Sequence, residues 1–186
     1  MSRLLLHTCC GPCSTYTVKR LRDEGLELAA FWYNPNIHLF MEHQRRLASM
    51  QLFAQRVGLP LSIVPGYDMV DFLRRVADHP GDRCGDCYHL RLTRAAEAAR
   101  EGAYDAFSTT LLISPYQKHG LLREVGEEVG RRADVEFYYE DLRPGFRESR
   151  LMTKELGLYR QQYCGCVYSE WERYASVRLG EGFRWA

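Results

Sequence analysis

The sequence predicts an α/β protein: a parallel sheet sandwiched by helices, with a helical cap over its carboxyl edge. Short apolar runs alternate with longer segments of helical pattern, and roughly the last fifty residues depart from this rhythm. Alternating strands and helices are typical of parallel sheets, because each connection must cross the sheet. The chain contains no internal repeat and no Pro/Gly/Ser-rich linker. We therefore expect a single domain over residues 1–186.

Each element follows from local composition. The strongly apolar runs predict strands at 3–7, 28–33, 61–64, 106–110 and 135–139. The second of these is apolar throughout, as expected for a strand that is covered on both faces. The segments between them predict helices at 14–24, 42–57, 69–76, 88–101 and 121–132. Pro12 suits the start of the first helix, and Gly25, Gly58 and Gly102 each follow the end of one.

Bulk properties exclude several classes of protein. The chain has 186 residues, 46% of them hydrophobic, which suffices for one well-buried domain. Its net charge of +1 gives no global attraction to nucleic acid or membrane, so such a partner would need a local patch. The apolar run after Arg3 is too short for a secretory signal, and no run approaches the length of a membrane span. We expect a cytoplasmic protein that does not bind membranes.

The seven cysteines fall into three tight clusters. In a reducing compartment, closely spaced thiols more often bind metal or carry out redox chemistry than form structural disulfides. The odd number also argues against a fully paired disulfide framework. We therefore expect three loops to meet at one soft-metal or redox centre. The clusters are Cys9, Cys10 and Cys13; Cys84 and Cys87; and Cys164 and Cys166.

The position and spacing of each cluster suggest its chemistry. Cys9 and Cys10 follow the first strand, where open α/β sheets bind ligands, and a helix amino end favours thiolates. The CxxC spacing of the second cluster is common to zinc and iron–sulfur sites. Cys164 and Cys166 suit either a metal clamp or a reducible disulfide. Residue patterns alone leave zinc, iron and thiol redox chemistry open.

Five motifs occur in a fixed order. They read HTCCGPCS at 7–14, YNPNIH at 33–38, RCxxCY at 83–88, TTLLISPY at 109–116 and KELGLYRQQYCGC at 154–166. In order and spacing they resemble the small, cobalamin-independent epoxyqueuosine reductases of the QueH type, and the resemblance spans most of residues 3–169. It implies a Rossmann-like (HUP-like) fold and the final step of queuosine synthesis, in which an epoxide at the tRNA wobble position is reduced to the alkene.

The resemblance also implies cofactors and partners. It implies a [4Fe–4S] cluster with a neighbouring metal ion, such as iron, or a redox cysteine pair. Cys9, Cys10, Cys84 and Cys87 then become the cluster ligands, and Cys164 and Cys166 the redox pair or the ligands of the second metal. Cys13 is either a further ligand or a buried thiol beside the cluster. The substrate would be a tRNA with a GUN-type anticodon, and electrons would come from an external donor.

Polar residues near these motifs are candidates for further roles. We expect a proton donor among His7, Tyr163 and His38. A carboxylate from Asp68, Asp86 or Asp141 would complete a mixed coordination shell.

Two groups are candidate substrate-binding residues. Asn34, Asn36 and His38 lie in a turn-forming loop that either shapes the site or contacts a base. A basic stretch suits the phosphate backbone of tRNA, and interleaved Phe146, Tyr159 and Tyr163 suit stacking of an unpaired base. Its basic residues are Arg143, Arg147, Arg150, Lys154 and Arg160.

Two other functions compete with the reductase. One is a zinc-stabilised RNA-binding module without catalysis. The other is a thiol–disulfide oxidoreductase that uses Cys164 and Cys166 without a cluster. A nucleotide-hydrolysing relative is disfavoured, because the sequence contains no Walker-type phosphate loop.

Overall fold

The structure, a computed structural model, describes residues 2–175. Within them, five strands form one sheet in the order β3-β2-β1-β4-β5, and every neighbouring pair is parallel. The order reverses between β1 and β4, which is the place where open α/β sheets leave a crevice at their carboxyl edge. The strands are β1 Arg3–His7, β2 Glu27–Trp32, β3 Leu61–Ile63, β4 Ala106–Thr109 and β5 Glu136–Phe137.

Helices cover both faces of this sheet and confirm the predicted α/β class. A 3₁₀ turn over Thr110–Ile113 extends β4, and another over Arg143–Gly145 precedes the sixth helix. None of the helices between residues 2 and 175 combines the length and apolar character needed to cross a bilayer. The helices are α1 Gly11–Asp23, α2 Phe40–Val57, α3 Met69–Val76, α4 Arg83–Glu101, α5 His119–Ala133, α6 Phe146–Glu155 and α7 Val167–Tyr174.

Strand residues alternate between two hydrophobic cores. In β1, Leu4 and Leu6 pack on the side of α1 and α2, whereas Leu5 packs on the side of α4 and α5. Successive strand residues point to opposite faces, so a strand buried on both faces must be apolar throughout. Burial on both faces therefore explains the apolar composition from which β1 and β2 were predicted.

Four helices begin earlier than the sequence pattern predicts, two of them by three residues or more. Helix α1 begins at Gly11 rather than at residue 14, because Cys10 acts as its N-cap and its Sγ accepts a hydrogen bond from the Cys13 amide. Helix α4 begins at Arg83 rather than at residue 88, so Cys84 and Cys87 lie in its first turns. The start of α1 places a thiol among the unpaired amides of a helix amino end.

The C-terminal segment packs beside the carboxyl end of β1. Helix α6 lies against α1, where the Ser149 hydroxyl donates to the carbonyl of Pro12 at 2.8 Å. Farther along, Ser49 donates to the Tyr159 carbonyl at 3.4 Å, which holds the following loop against α2. This segment is the helical cap that the sequence predicts. The single-domain assignment over 1–186 stays a prediction, since positions 1 and 176–186 lie outside the described residues.

Gly11 allows α1 and α2 to approach closely beside the first thiol cluster. A Cβ at this position would lie 2.7 Å from both the carbonyl oxygen and the hydroxyl of Ser49. We expect Gly11→Ala to lower the free energy of unfolding by about 1–3 kcal/mol, because the two helices must separate to accept the methyl group. Urea denaturation measures this loss.

Gly120→Ala is the matched control for that substitution. Gly120 lies in α5, and a Cβ there would meet no heavy atom within 4 Å. Alanine has the higher helix propensity, so the control is expected to be neutral or stabilising. Equal stability of the Gly11→Ala and Gly120→Ala proteins would contradict the close approach of α1 and α2.

Candidate metal and redox centre

Three thiols converge in the turn between β1 and α1. The Sγ atoms of Cys9, Cys10 and Cys13 all lie within 4.8 Å of one another, and those of Cys9 and Cys10 are 3.7 Å apart. Cys9 and Cys10 are buried, and Cys13 is half-buried. Soft sulfur ligands at such spacing suit zinc, copper(I) or an iron–sulfur centre. We call these three residues the thiol triad.

Hydrogen-bond donors surround the triad sulfurs. The Thr110 hydroxyl donates to Cys9 Sγ at 3.3 Å, and the Gln161 side-chain amide donates to Cys10 Sγ at 3.0 Å. Thr110 is the first residue of the 3₁₀ turn after β4, and Gln161 lies in the loop after α6. Both sulfurs thus act as acceptors, and hydrogen bonds to the charged form of a group favour that form.

The pKa of one triad thiol is lowered, and the pKa values of the other two are raised. Hydrogen bonds from the thiols of Cys10 and Cys13 hold the pKa of Cys9 well below its ordinary value, with support from Arg91 and Thr110. Burial raises the pKa of Cys10, and the hydrogen bond to Cys10 raises that of Cys13. Of the three thiols, Cys9 therefore has the environment that most favours the thiolate form.

The second cysteine cluster lies on a neighbouring element. Cys87 is buried in α4 and packs in one apolar cluster with Cys166, Phe72 and Val76. Burial raises the pKa of the Cys87 thiol to about 12 and also raises that of Cys84. Cys84 packs against the core cluster that contains Cys9 and Cys10.

The structure groups the thiols differently from the ligand set that the resemblance implies. Within residues 2–175, only the triad forms a set of three or more potential ligand atoms within 4.8 Å. Cys84 and Cys87 do not belong to this set, whereas Cys13 does. The set of Cys9, Cys10, Cys84 and Cys87 stays a prediction. The proximity of the Cys13 sulfur to those of Cys9 and Cys10 favours Cys13 as a further ligand.

The third cluster lies in a loop that Arg46 holds in place. The Arg46 guanidinium donates to the carbonyl oxygens of Cys164 at 2.7 Å and Tyr163 at 3.1 Å. Between the two cysteines, Gly165 has a φ of 153°, a conformation that side-chain-bearing residues rarely adopt. Cys164 is exposed, Cys166 is buried, and both are free thiols. The Gln117 amide donates to Cys164 Sγ at 3.4 Å.

His7 lies under the triad and is sealed from solvent. Burial lowers the pKa of its imidazole to about 3, so the ring is neutral at pH 7. Nε2 then donates to the Tyr33 carbonyl at 3.2 Å, and Nδ1 accepts from the Thr109 hydroxyl at 2.8 Å. Both nitrogens are used in holding β1, β2 and β4 together. These contacts favour a positioning role for His7 over the role of proton donor.

Tyr163 and His38 are similarly engaged. The Tyr163 hydroxyl donates to the His38 carbonyl at 2.6 Å, and burial raises its pKa to about 12. His38 is buried, and its Nδ1 accepts from the Val167 amide at 3.3 Å while its backbone amide donates to the Gly165 carbonyl at 2.8 Å. These bonds tie the loop after β2 to the loop of Cys164 and Cys166. Proton donation by either residue stays a prediction.

The loop asparagines are buried rather than open to a substrate. Asn34 donates to the carbonyl of Thr8 at 2.9 Å and accepts from Arg91 at 2.8 Å. Asn36 is buried as well, and its Oδ1 has no hydrogen-bond partner among the described residues. Of the two interpretations for this loop, these contacts favour shaping the site over contacting a base.

Two of the three candidate carboxylates are engaged elsewhere. Asp86 pairs with His79 at 2.6 Å, and Asp141 binds both Nε and NH2 of Arg143. The bonds from Arg143 lower the pKa of the Asp141 carboxyl to about 2. Asp68 lies beside Tyr33, whose hydroxyl pKa it helps to raise. A role for any of the three as a metal ligand stays a prediction.

All five residues of the basic stretch are exposed, and one of them forms an ion pair. Arg143 is engaged with Asp141, whereas the other four form no ion pair within the described part of the chain. In α6, Ser149 and Thr153 face α1, so the basic residues lie on the outer face. The other four are Arg147, Arg150, Lys154 and Arg160.

Sequence reasoning did not identify four residues that contact the thiol loops. Arg46 and Arg91 are buried arginines, and Gln117 and Gln161 donate to cysteine sulfurs. For the arginines a signal exists, because each occupies a position on the buried stripe of its helix. An arginine at an apolar position of an amphipathic helix indicates a buried charge that needs a specific partner.

Comparison with known proteins identifies the family of this chain. A family model described as epoxyqueuosine reductase QueH matches residues 4–172. A relative from Dehalococcoides mccartyi named "Epoxyqueuosine reductase QueH" is 44% identical over 172 residues, which cover 92% of this chain and 94% of the relative. A relative of the same name from Thermotoga maritima is 33% identical over 184 residues, which cover 93% of each chain.

A solved structure supports the fold independently. A crystal structure described as a "predicted subunit of tRNA methyltransferase" from Methanocaldococcus jannaschii aligns with a TM-score of 0.57 and 12% identity, covering 83% of this chain and 75% of that one. At this identity the likeness concerns the fold alone. The match of the family model and the two relatives establishes the family: the chain belongs to the epoxyqueuosine reductase QueH family.

Proposed function

We propose that this protein reduces the epoxide of epoxyqueuosine in tRNA to the alkene of queuosine. The reaction consumes two electrons and two protons, breaks both C–O bonds of the epoxide and releases its oxygen as water. Membership of the QueH family, over residues 4–172, is the observation that carries this proposal. A cytoplasmic location, where tRNA is found, follows from the same proposal.

The triad fits a thiolate-bound inorganic centre. Its three sulfurs lie close together, and donors from Thr110 and Gln161 already point at them. Iron–sulfur clusters are held by cysteine thiolates and tuned by hydrogen bonds to sulfur. Cys9 and Cys10 belong both to the triad and to the ligand set that the resemblance implies. They would hold a [4Fe–4S] cluster together with two of Cys13, Cys84 and Cys87, and the cluster would supply single electrons.

The surrounding residues would position the nucleoside and exclude water. Tyr116 is 82% exposed, and its ring centroid lies 6.0 Å from that of Phe146. The next residue, Gln117, donates to Cys164 Sγ, so this aromatic surface adjoins the third thiol cluster. Proteins that recognise single-stranded RNA stack unpaired bases on such side chains. Tyr116 and Phe146 would therefore support the anticodon loop beside the thiols.

An assay of epoxide reduction tests the proposal. Anaerobically reconstituted protein is mixed with tRNA that contains epoxyqueuosine and with dithionite as electron donor, and the digested nucleosides are analysed by mass spectrometry. We expect epoxyqueuosine to disappear while an equal amount of queuosine forms. Failure to form queuosine, with the centre intact and reduced, would refute the proposal.

The outer face of α6 should bind the tRNA backbone. Arg150 is exposed and forms no ion pair within residues 2–175. We expect Arg150→Ala to weaken tRNA binding severalfold and to lower the salt slope of the binding constant by about 1, as the loss of one phosphate contact does. Titration of labelled tRNA at several salt concentrations measures both quantities.

Arg131→Ala is the matched control for the tRNA experiment. Arg131 is exposed near the end of α5. Helix α5 leads into the amino end of β5, so Arg131 lies at the amino edge of the sheet, opposite to the carboxyl edge where the thiols lie. This variant should keep the affinity and salt slope of the parent protein. Equal binding by the two variants would exclude the basic face of α6 as the tRNA contact.

A further inference from the structure

Arg91 is a buried cation that lies among the thiol clusters. It occupies the middle of α4, one turn after Cys87, and its side chain is among the largest that are fully buried. Its NH1 group donates to Cys87 Sγ at 3.7 Å, and its NH2 group donates to Asn34 Oδ1 at 2.8 Å. Asn34 in turn binds the carbonyl of Thr8, next to Cys9. Arg91 thus connects the second thiol cluster to the turn that carries the triad.

No carboxylate within residues 2–175 neutralises this charge. Arg46 provides the contrast: it is equally buried, but its Nε binds Glu42 at 2.7 Å. Arg91 forms no ion pair with any described acid, and its Nε has no hydrogen-bond partner in that part of the chain. An isolated buried charge is costly, so an arginine at such a site requires a nearby anion.

Among the described residues, the groups near Arg91 that can become anionic are cysteines, which bind a metal as thiolates. The guanidinium acts electrostatically on Cys9, Cys87 and Cys164, one from each of the three clusters. A centre that is held by several thiolates carries net negative charge, and its burial requires compensation in the same way as any buried ion. The position of Arg91 therefore provides a cation for the buried centre, and the centre provides an anion for the buried arginine.

We propose that Arg91 is the fixed counter-charge of an anionic thiolate centre held by cysteines of the triad and of the second cluster. It acts as a positioning residue, because it stabilises the thiolates rather than the substrate. The inference rests on the proposed function in one respect only, namely that the thiols hold an inorganic centre. It implies that the centre carries a net negative charge, which could not be buried without the positive charge of Arg91.

Cadmium binding to the metal-free protein tests this inference without iron. The probe is Cd²⁺ alone, followed by the ultraviolet absorption of cadmium–thiolate bonds. We expect Arg91→Met to weaken Cd²⁺ binding by roughly tenfold or more, because the anionic complex loses a close positive charge. Arg91→Lys, which keeps the charge, should recover most of this loss.

Arg94→Met is the matched control. Arg94 lies on the same helix but is exposed and pairs with Glu97 at 2.8 Å, so its loss should leave Cd²⁺ binding unchanged. Folding of each variant is checked by circular dichroism. An affinity of the Arg91→Met protein within twofold of the parent would overturn the inference, and so would an equal loss in the Arg91→Met and Arg91→Lys proteins.

The reconstituted protein gives a second measurement. Loss of a nearby positive charge disfavours the addition of an electron, so Arg91→Met should shift the reduction potential of the centre to a more negative value. A purely structural role would leave the potential unchanged. The two proposals fail separately: absence of queuosine in the assay would refute the reductase function, whereas unchanged Cd²⁺ affinity would refute the role of Arg91.

Discussion

Cys9→Ala is expected to abolish epoxide reduction, with a loss of more than about a thousandfold in turnover. Cys9 is the triad thiol whose pKa is lowered, and it belongs to every ligand set considered for the centre. Its loss removes one ligand and leaves the hydrogen bond from Thr110 without an acceptor. The measurement is queuosine formation per reconstituted chain, together with the iron content of the same sample.

Cys9→Ser is the companion variant. Serine fills the same space but offers a hard oxygen in place of a soft sulfur, so it should lose activity as well. Retention of both iron and a substantial rate in the Cys9→Ala protein would contradict the assignment. Iron content of the Cys13→Ala protein then decides the third thiol: loss of iron assigns Cys13 as a ligand, and full retention leaves the set of Cys9, Cys10, Cys84 and Cys87.

Arg46→Met is expected to cost about 3 kcal/mol or more in the free energy of unfolding, since a half-buried carboxylate and two carbonyls lose the donor that Arg46 provides. The lost partners are Glu42, Tyr163 and Cys164. For a chain of this size, the melting temperature should fall by about 6–12 °C. Activity should fall too, because the loop that carries Cys164 loses its attachment to α2.

Arg45→Met is the control for this substitution. Arg45 precedes Arg46 on the same helix but is exposed and forms no ion pair among the described residues, so its loss should change the melting temperature little. Arg46→Lys should lie between the two, because lysine keeps the charge but cannot reach two carbonyls with a rigid fork. A melting temperature of the Arg46→Met protein equal to that of the parent would contradict the role of Arg46.

The sheet could be predicted from sequence because its burial is two-sided. Apart from Arg3, His7 and Glu27 at the strand ends, all positions of β1 and β2 are apolar, so composition alone indicates these strands. The alternation of strands and helices then restricts the sheet to parallel pairing. Helix ends were less predictable: the cap of α1 is a cysteine, whose thiol is rarely considered as an N-cap, and the predicted start fell three residues late.

The centre could be predicted only in part. Sequence spacing identified the three thiol clusters, and the structure brings Cys9, Cys10 and Cys13 together. The roles of Arg46 and Arg91 were not predicted: their positions on the buried stripes of α2 and α4 indicate burial, but they do not identify the partners of the two side chains. Their partners are also remote in sequence: Arg46 binds Cys164, 118 residues away, and Arg91 binds Asn34, 57 residues away. Only the fold reveals such contacts.

The most direct test of the proposed centre is a count of iron and acid-labile sulfide in anaerobically reconstituted protein, together with its visible absorption spectrum. We expect about four irons and about four sulfides per chain, with broad visible absorption that is lost in the Cys9→Ala protein. A colourless protein that takes up zinc and retains no iron under the same conditions would contradict the iron–sulfur centre and would favour a zinc-stabilised RNA-binding module.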